Sequence, residues 1–275
     1  MSCSGVVTTD LALAHLLADA ADEITLHDFG NEALHVETKA DGTPVTAVDR
    51  AVEDRICALL ATHRPDDGYL GEEAGHSGPA RRRWIIDGVD GTHNYVRHNP
   101  GWGTLIALEE VGEIVLGVMT SPALGRRWWA ERGGGGWTGP ISPSVLDGAT
   151  RLRCTTTDAA EGATIVVTPP DRYLADAYLP VAAALRRRDP DARGSFAHAA
   201  LAVAEGDADA VVLLRGGPWD YAAVAVIIEE AGGMFSDLWG GRRLDTGTAV
   251  YSNAAMHPAI LAIASGSRPA RPARP

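Results

Sequence analysis

Four acids sit where strands are expected to end or a helix to begin: Glu72, Asp87, Asp90 and Asp220. Asp87 and Asp90 belong to Ile85-Ile86-Asp87-Gly88-Val89-Asp90-Gly91-Thr92, which leaves an apolar run for a glycine-containing turn. Glu72 follows Tyr69-Leu70-Gly71, and Asp220 follows Pro218-Trp219 ahead of an apolar stretch. Carboxylates gathered in this way repel one another unless cations hold them, and hard oxygen ligands suit Mg²⁺ better than zinc. The spacing can set Asp87 and Asp90 on one cation, with the Val89 carbonyl between them. Gly91-Thr92 precedes a segment that could start a helix, whose N–H groups and partial positive charge would face a phosphate. The pattern predicts a magnesium-dependent enzyme acting on a phosphate.

Each acid also has a plainer reading. Asp-Gly is a common turn, Glu72-Glu73 reads as a solvated loop, and Asp220 as a residue that favours a helix start. Thr46 and Asp49 read as a capping box. The joint order of the motifs, with their flanks, favours chemistry.

The chain has 275 residues and a formal net charge of −12. That length buries a substantial core in one domain or two intimate ones. The acidic balance and the lack of a basic stripe argue against nucleic acid. An acidic site repels a phosphomonoester, so activity is expected to depend strictly on metal. No apolar run approaches the roughly 20 residues needed to span a membrane, and no secretory leader is seen. Cys3, Cys57 and Cys154 are odd in number and scattered, which predicts reduced thiols in the cytoplasm. Lys39 is the only lysine.

Helices are expected after Thr9 or Asp10, with Leu13, Leu16 and Leu17 inward, and over the stripe Val48, Val52, Ile56 and Leu60. Tyr69–Gly71 and Trp84–Ile86 read as strands. Thr104–Leu108 with Ile114–Met119, and Arg126–Glu131 with Gly133–Gly136, read as hairpins. Gly133–Gly136 therefore lacks the strand-to-helix context of a dinucleotide-binding loop. The second half alternates strand and helix: Ile165–Val167, a helix over Leu174–Arg188, Ala197–Ala204, Ala208–Leu214, Tyr221–Ala231, Met234–Phe235, and a helix after His257-Pro258. The expected division is an N-terminal half over 1–145, a C-terminal half over 146–266, and a tail over 267–275 without fixed structure.

Together these motifs resemble the inositol monophosphatase superfamily of Mg²⁺-dependent phosphatases. Asp87–Thr92 matches its Asp-Pro-aliphatic-Asp-Gly-Thr signature except at Gly88. Gly71-Glu72-Glu73, Trp219-Asp220, Glu230-Ala231-Gly232-Gly233, and Lys39 with Pro44-Val45-Thr46 and Asp49 match the flanking motifs. The resemblance implies an α/β chain, with an α+β half and an α/β half in α/β/α/β/α layers, and a homodimer. It implies two or three Mg²⁺ ions on Glu72, Asp87, the Val89 carbonyl, Asp90 and Asp220. Glu72 and Thr92, the latter helped by Asp49, would orient the attacking water. Gly91, Thr92 and Lys39 would hold phosphate. At Gly88, glycine leaves φ unfixed where the family has proline. Activity is expected to survive with weaker metal affinity, and restoring proline to tighten Mg²⁺ binding.

Asn94-Tyr95-Val96-Arg97, Gly103–Leu108 and Ser121–Ala130 look most like bacterial histidinol-phosphate phosphatases. The substrate-facing segment departs from them, since Leu213-Leu214-Arg215-Gly216-Gly217-Pro218 carries no acid. Arg215 would repel an ammonium and welcome an anion or a ring. Arg193-Gly194-Ser195 resembles the inositol-type binding turn, followed by Phe196. A diverged phosphatase for a nucleoside monophosphate or aminonucleotide is the runner-up, resting on Leu213, Arg215 and Phe196, with inositol phosphate also possible. A catalytically dead metal-binding relative is the remote alternative.

Overall fold

The computed structural model describes residues 9–39, 42–142, 144, 147–159, 161–186 and 195–274. The first helix, α1 (Asp10–Asp28), starts where Thr9 Oγ1 accepts the Ala12 N–H at 3.2 Å. Strands β1 (Val36–Thr38) and β2 (Pro44–Thr46) form a small antiparallel hairpin that carries Lys39 at its turn. Helix α2 (Ala47–His63) opens on the expected capping box, with the Asp49 carboxylate returning to the Thr46 N–H. Its stripe of Val48, Val52, Ile56 and Leu60 is buried.

The large sheet runs β10-β9-β8-β7-β6-β5-β3-β4. Its strands are β3 (Gly68–Gly71), β4 (His76–Ser77), β5 (Arg82–Asp90), β6 (Gly103–Glu110), β7 (Glu113–Ser121), β8 (Arg126–Glu131), β9 (Gly135–Pro140) and β10 (Thr150–Arg151). The short helix α3 (Thr92–Val96) follows β5. The β6–β7 turn at Val111-Gly112 takes left-handed φ at both residues, 53° and 84°. That matches the twist of a two-residue hairpin. Gly133–Gly136 enters the β8–β9 hairpin, where Glu230 accepts the Gly133 and Gly135 N–H groups at 2.9 and 2.8 Å.

The second sheet runs β11-β12-β14-β13. It comprises β11 (Ile165–Thr168), β12 (Ala210–Leu213), β13 (Gly233–Ser236) and β14 (Ala249–Asn253). The remaining helices are α4 (Leu179–Leu185), α5 (Phe196–Glu205), α6 (Pro218–Glu230) and α7 (His257–Ser265). The strand β14 is unassigned in the sequence reading.

Alternation along the strands builds the layers. On β5, Trp84 and Ile86 join the core of α1 and α2, whereas Ile85 faces the core of α5 and α6. On β12, Val211 and Leu213 face α5 and α6. Ala210 and Val212 face the outer layer of α4 and α7. The order is α1/α2, large sheet, α5/α6, small sheet, α4/α7, which is the expected α/β/α/β/α arrangement. No helix among the described residues is long and apolar enough to cross a membrane.

Two expectations need correction, and one boundary falls outside view. The helix expected over Leu174–Arg188 begins only at Leu179, after two short 3₁₀ turns. Pro180 has no N–H to donate and suits only a first helical turn; Arg187 and Arg188 lie outside the described residues. Position 143 and the boundary at 145/146 also lie outside them. The tail has no regular secondary structure, yet its described residues are docked. Arg268 donates to the Leu238 carbonyl at 2.8 Å, Trp239 Nε1 donates to the Pro269 carbonyl at 3.0 Å, and Arg271 pairs with the fully buried Asp237. Asp237 Oδ1 meanwhile accepts the Trp239 and Gly241 N–H groups. Arg271→Ala leaves that buried carboxylate without its cation. It is expected to cost about 1–3 kcal/mol, read as a lower midpoint in urea; an unchanged midpoint would show the docking to be incidental.

Candidate metal centre

Strand β5 ends on its acids. Asp87 lies at the last regular pair of β5 with β6, the register shifts, and Asp90 pairs with Gly103. Gly91 then takes φ 84°, a left-handed turn into α3. A Cβ there would lie 2.8 Å from Ser195 Cβ, so the turn requires glycine. Asp220 arrives from the first turn of α6, where its Oδ2 accepts the Gly217 N–H at 2.6 Å. One oxygen from each of Asp87, Asp90 and Asp220 lies within 4.8 Å of the other two.

Glu72, just past β3, joins this cluster electrostatically. Lys39 Nζ bonds Glu72 Oε1 at 2.7 Å and also pairs with Glu73. Burial raises the Glu72 pKa to about 7 against the pull of Lys39. Burial, then Glu72, Asp90 and Asp220, hold Asp87 well above the carboxylate range. Burial, then Asp90 and Glu72, do the same to Asp220. Burial raises Asp90 to about 6 despite bonds from Ser195 and from the Ala197 and Phe196 amides. Burial works against the Lys39 charge, but its bonds to Glu72 and Glu73 win and raise its pKa.

The Thr92–Asp49 pair is assembled by α2. Thr92 Oγ1 lies 2.9 Å from Asp49 Oδ1 and 3.0 Å from the Val89 carbonyl. Asp49 Oδ2 accepts the Thr46 amide at 2.9 Å and its hydroxyl at 2.6 Å. Burial raises the Asp49 pKa against these donors.

Sequence reasoning missed Glu53. This fully buried carboxylate accepts the Glu72 N–H at 3.0 Å, the Ala74 N–H at 2.8 Å and the Tyr69 hydroxyl at 2.9 Å, and it also takes the Glu73 N–H. It fixes the loop that presents Glu72. The available signal was its place four residues after Asp49, on the same helical face. His198, which follows Arg193-Gly194-Ser195 in the sequence, carries no role in the sequence reading. Its ring nitrogens lie 2.8 Å from Ser195 Oγ and 3.2 Å from Ser121 Oγ, tying the start of α5 to the end of β7.

The substrate-side residues fare differently. Ser195 caps α5 beside Asp90. Phe196 is half-buried against the α5/α6 core, and Leu213 is fully buried within it, so the expectation that Leu213 contacts substrate is corrected. Arg215 lines an open cavity with Leu214. Arg193 and Gly194 lie outside the described residues.

The donor set fits a hard divalent cation: anionic oxygens, buried, and mutually repulsive. The bonds reaching Asp90 and Asp220 come from backbone amides and Ser195, not from a cationic side chain. Asp87, Asp90, Asp220 and Glu72 would hold such an ion, with the Val89 carbonyl at the same turn.

The expectation for Gly88 changes. A Cβ there would meet the Asp49 carbonyl at 2.6 Å and Glu53 Cγ at 3.3 Å. The first turns of α2 have closed onto the glycine, and a proline would push them away. Gly88→Pro is expected to lose about 1–3 kcal/mol of stability and to weaken Mg²⁺ binding; tighter binding by calorimetry would restore the sequence-based expectation.

Protons and metal should compete for these carboxylates. Their folded pKa values lie above the unfolded ones, so the metal-free native state binds more protons than the unfolded state between about pH 4 and 7. Stability of the metal-free protein should therefore fall as pH rises through this window. The rise in melting temperature on adding Mg²⁺ should grow with pH; a rise independent of pH would contradict the assignment.

A family model described as the inositol monophosphatase family matches residues 7–268. A histidinol-phosphatase of Streptomyces coelicolor is 41% identical over 92% of this chain and 95% of its own length. One of Mycobacterium tuberculosis is 39% identical over 92% and 96%. Among solved structures, a Thermotoga maritima IMPase superposes with a TM-score of 0.78 at 27% identity, covering 94% of this chain and 97% of that one. The acid-lined turn, the five layers and these matches agree: the chain belongs to the inositol monophosphatase family.

Proposed function

We propose that the chain is a Mg²⁺-dependent phosphomonoesterase that hydrolyses a small-molecule phosphate by direct attack of water, using two or three ions. The convergence of Asp87, Asp90 and Asp220 oxygens carries this reading. When bound, Mg²⁺ supplies Lewis acidity that lowers the pKa of water and screens the phosphoryl and leaving oxygens.

The protein's own groups do the rest. Thr92 donates its hydroxyl proton toward Asp49, which turns its lone pairs outward to accept from the attacking water. Glu72 is held by Glu53 and Lys39 and takes the proton that water gives up. The Gly91 and Thr92 amides, with Lys39, hold the phosphoryl oxygens. The named relatives are histidinol-phosphatases, so histidinol phosphate is the reference ester. Family resemblance supports a homodimer. The free thiols of Cys57 and Cys154 fit a reducing compartment such as the cytoplasm.

Phosphate release from a panel of esters is expected with Mg²⁺ and not after chelation. Asp90→Asn should abolish it, and Thr92→Ala should lower kcat by about 100-fold. Undiminished release by the chelated protein or by Asp90→Asn would reject the mechanism.

A further inference from the structure

An open cavity of about 410 Å³ adjoins the carboxylates, lined among others by Tyr173, Tyr178, Leu214, Arg215, Gly216 and Gly247. Gly216 is the shared wall. At φ 144°, a Cβ on it would lie 2.9 Å from Asp220 Oδ2 and 2.6 Å from the Tyr221 hydroxyl. One backbone residue thus separates the cavity from a candidate metal ligand. The Tyr221 hydroxyl behind that wall is buried without a hydrogen-bond partner.

The chemistry of the lining is specific. It presents two phenol rings and a guanidinium, and among the described residues no carboxylate. Tyr173 is half exposed, the Arg172 guanidinium stacks on its ring at 4.7 Å, and Arg97 lies near enough to act on its phenol. The neighbouring Asp171 is engaged by Arg186 at 2.6 Å. Phenol rings accept a flat π-system, while a guanidinium disfavours an ammonium placed beside it. Histidinol carries an ammonium and an ionisable imidazole, so its charge opposes the Arg215 guanidinium.

We propose that the cavity receives the leaving group, and that the preferred leaving group is planar and without positive charge, as is the nucleoside of a nucleoside monophosphate. This rests on the phosphomonoesterase reading and names the substrate class of that site. Leu213 lies in the core and Phe196 packs against it outside the cavity lining, so Tyr173 and Tyr178 take their place as the ring contacts. Arg215 sets the charge preference.

The test compares AMP, histidinol phosphate and glycerol phosphate with the Mg²⁺-loaded enzyme, beside calorimetric titration of adenosine and histidinol into the metal-free protein. AMP should have the higher kcat/KM, and adenosine should bind more tightly than histidinol. Tyr178→Ala should reduce kcat/KM for AMP about tenfold more than for glycerol phosphate, which has no ring. Arg215→Glu should shift the ratio of AMP to histidinol phosphate about tenfold toward the latter. Wild-type preference for histidinol phosphate, or an Arg215→Glu ratio that does not move, overturns the proposal and leaves the phosphatase reading standing. Adenosine binding without hydrolysis of any ester keeps the cavity assignment and rejects the phosphatase reading.

Discussion

Mutual repulsion among buried carboxylates is the constraint around which this molecule is arranged. Asp87, Asp90 and Asp220 are buried with oxygens within 4.8 Å of one another, and Glu72 adds its charge to two of them. A low-dielectric interior makes such a cluster costly unless its charge is neutralised. Protons do this at low pH and cations at neutral pH, so metal dependence follows from the geometry of the apolar frame. The net charge of −12 leaves no general positive field to draw in a phosphate. Under the proposed mechanism, local reversal of sign by bound cations would serve substrate capture as well as catalysis.

The frame that enforces this crowding depends on close approaches. Gly88 lets the first turn of α2 rest on the end of β5, and Gly91 lets the following turn pass Ser195. From that seat, Asp49 holds Thr92 while Glu53 holds the loop of Glu72. One helix therefore sets the spacing of both groups proposed to act on water. Helix α6 delivers the remaining acid from its first turn, while its body fills the core between the two sheets. Stability and site geometry are coupled through these two helices, and disturbing the packing beneath them should be felt in metal affinity.

Features encoded within a short window were legible in the sequence. The Asp87–Thr92 turn, the Thr46/Asp49 capping box and the hairpin at Val111-Gly112 each rest on a local spacing rule. What escaped depends on distant partners or on strand parity. Glu53 has meaning only once the loop at 72–74 is folded over it. Leu213 ends β12 facing the α5/α6 core, while Leu214, one position on, is buried in the outer layer with α4 and α7 and borders the cavity. Composition alone suggested a loose tail, because Asp237, which binds Arg271, lies 34 residues away. Pro180 was a readable stop signal inside the helix expected over Leu174–Arg188.

The central claim is that the carboxylates at the end of β5 and the start of α6 form a divalent-cation site. Anomalous scattering from crystals soaked in Mn²⁺, a hard ion that shares oxygen cages with Mg²⁺, tests it most directly. At least one peak is expected within coordination distance of Asp87, Asp90 and Asp220, and lost in Asp90→Asn. A well-ordered site with no peak, or Mn²⁺ bound only elsewhere, would contradict the account.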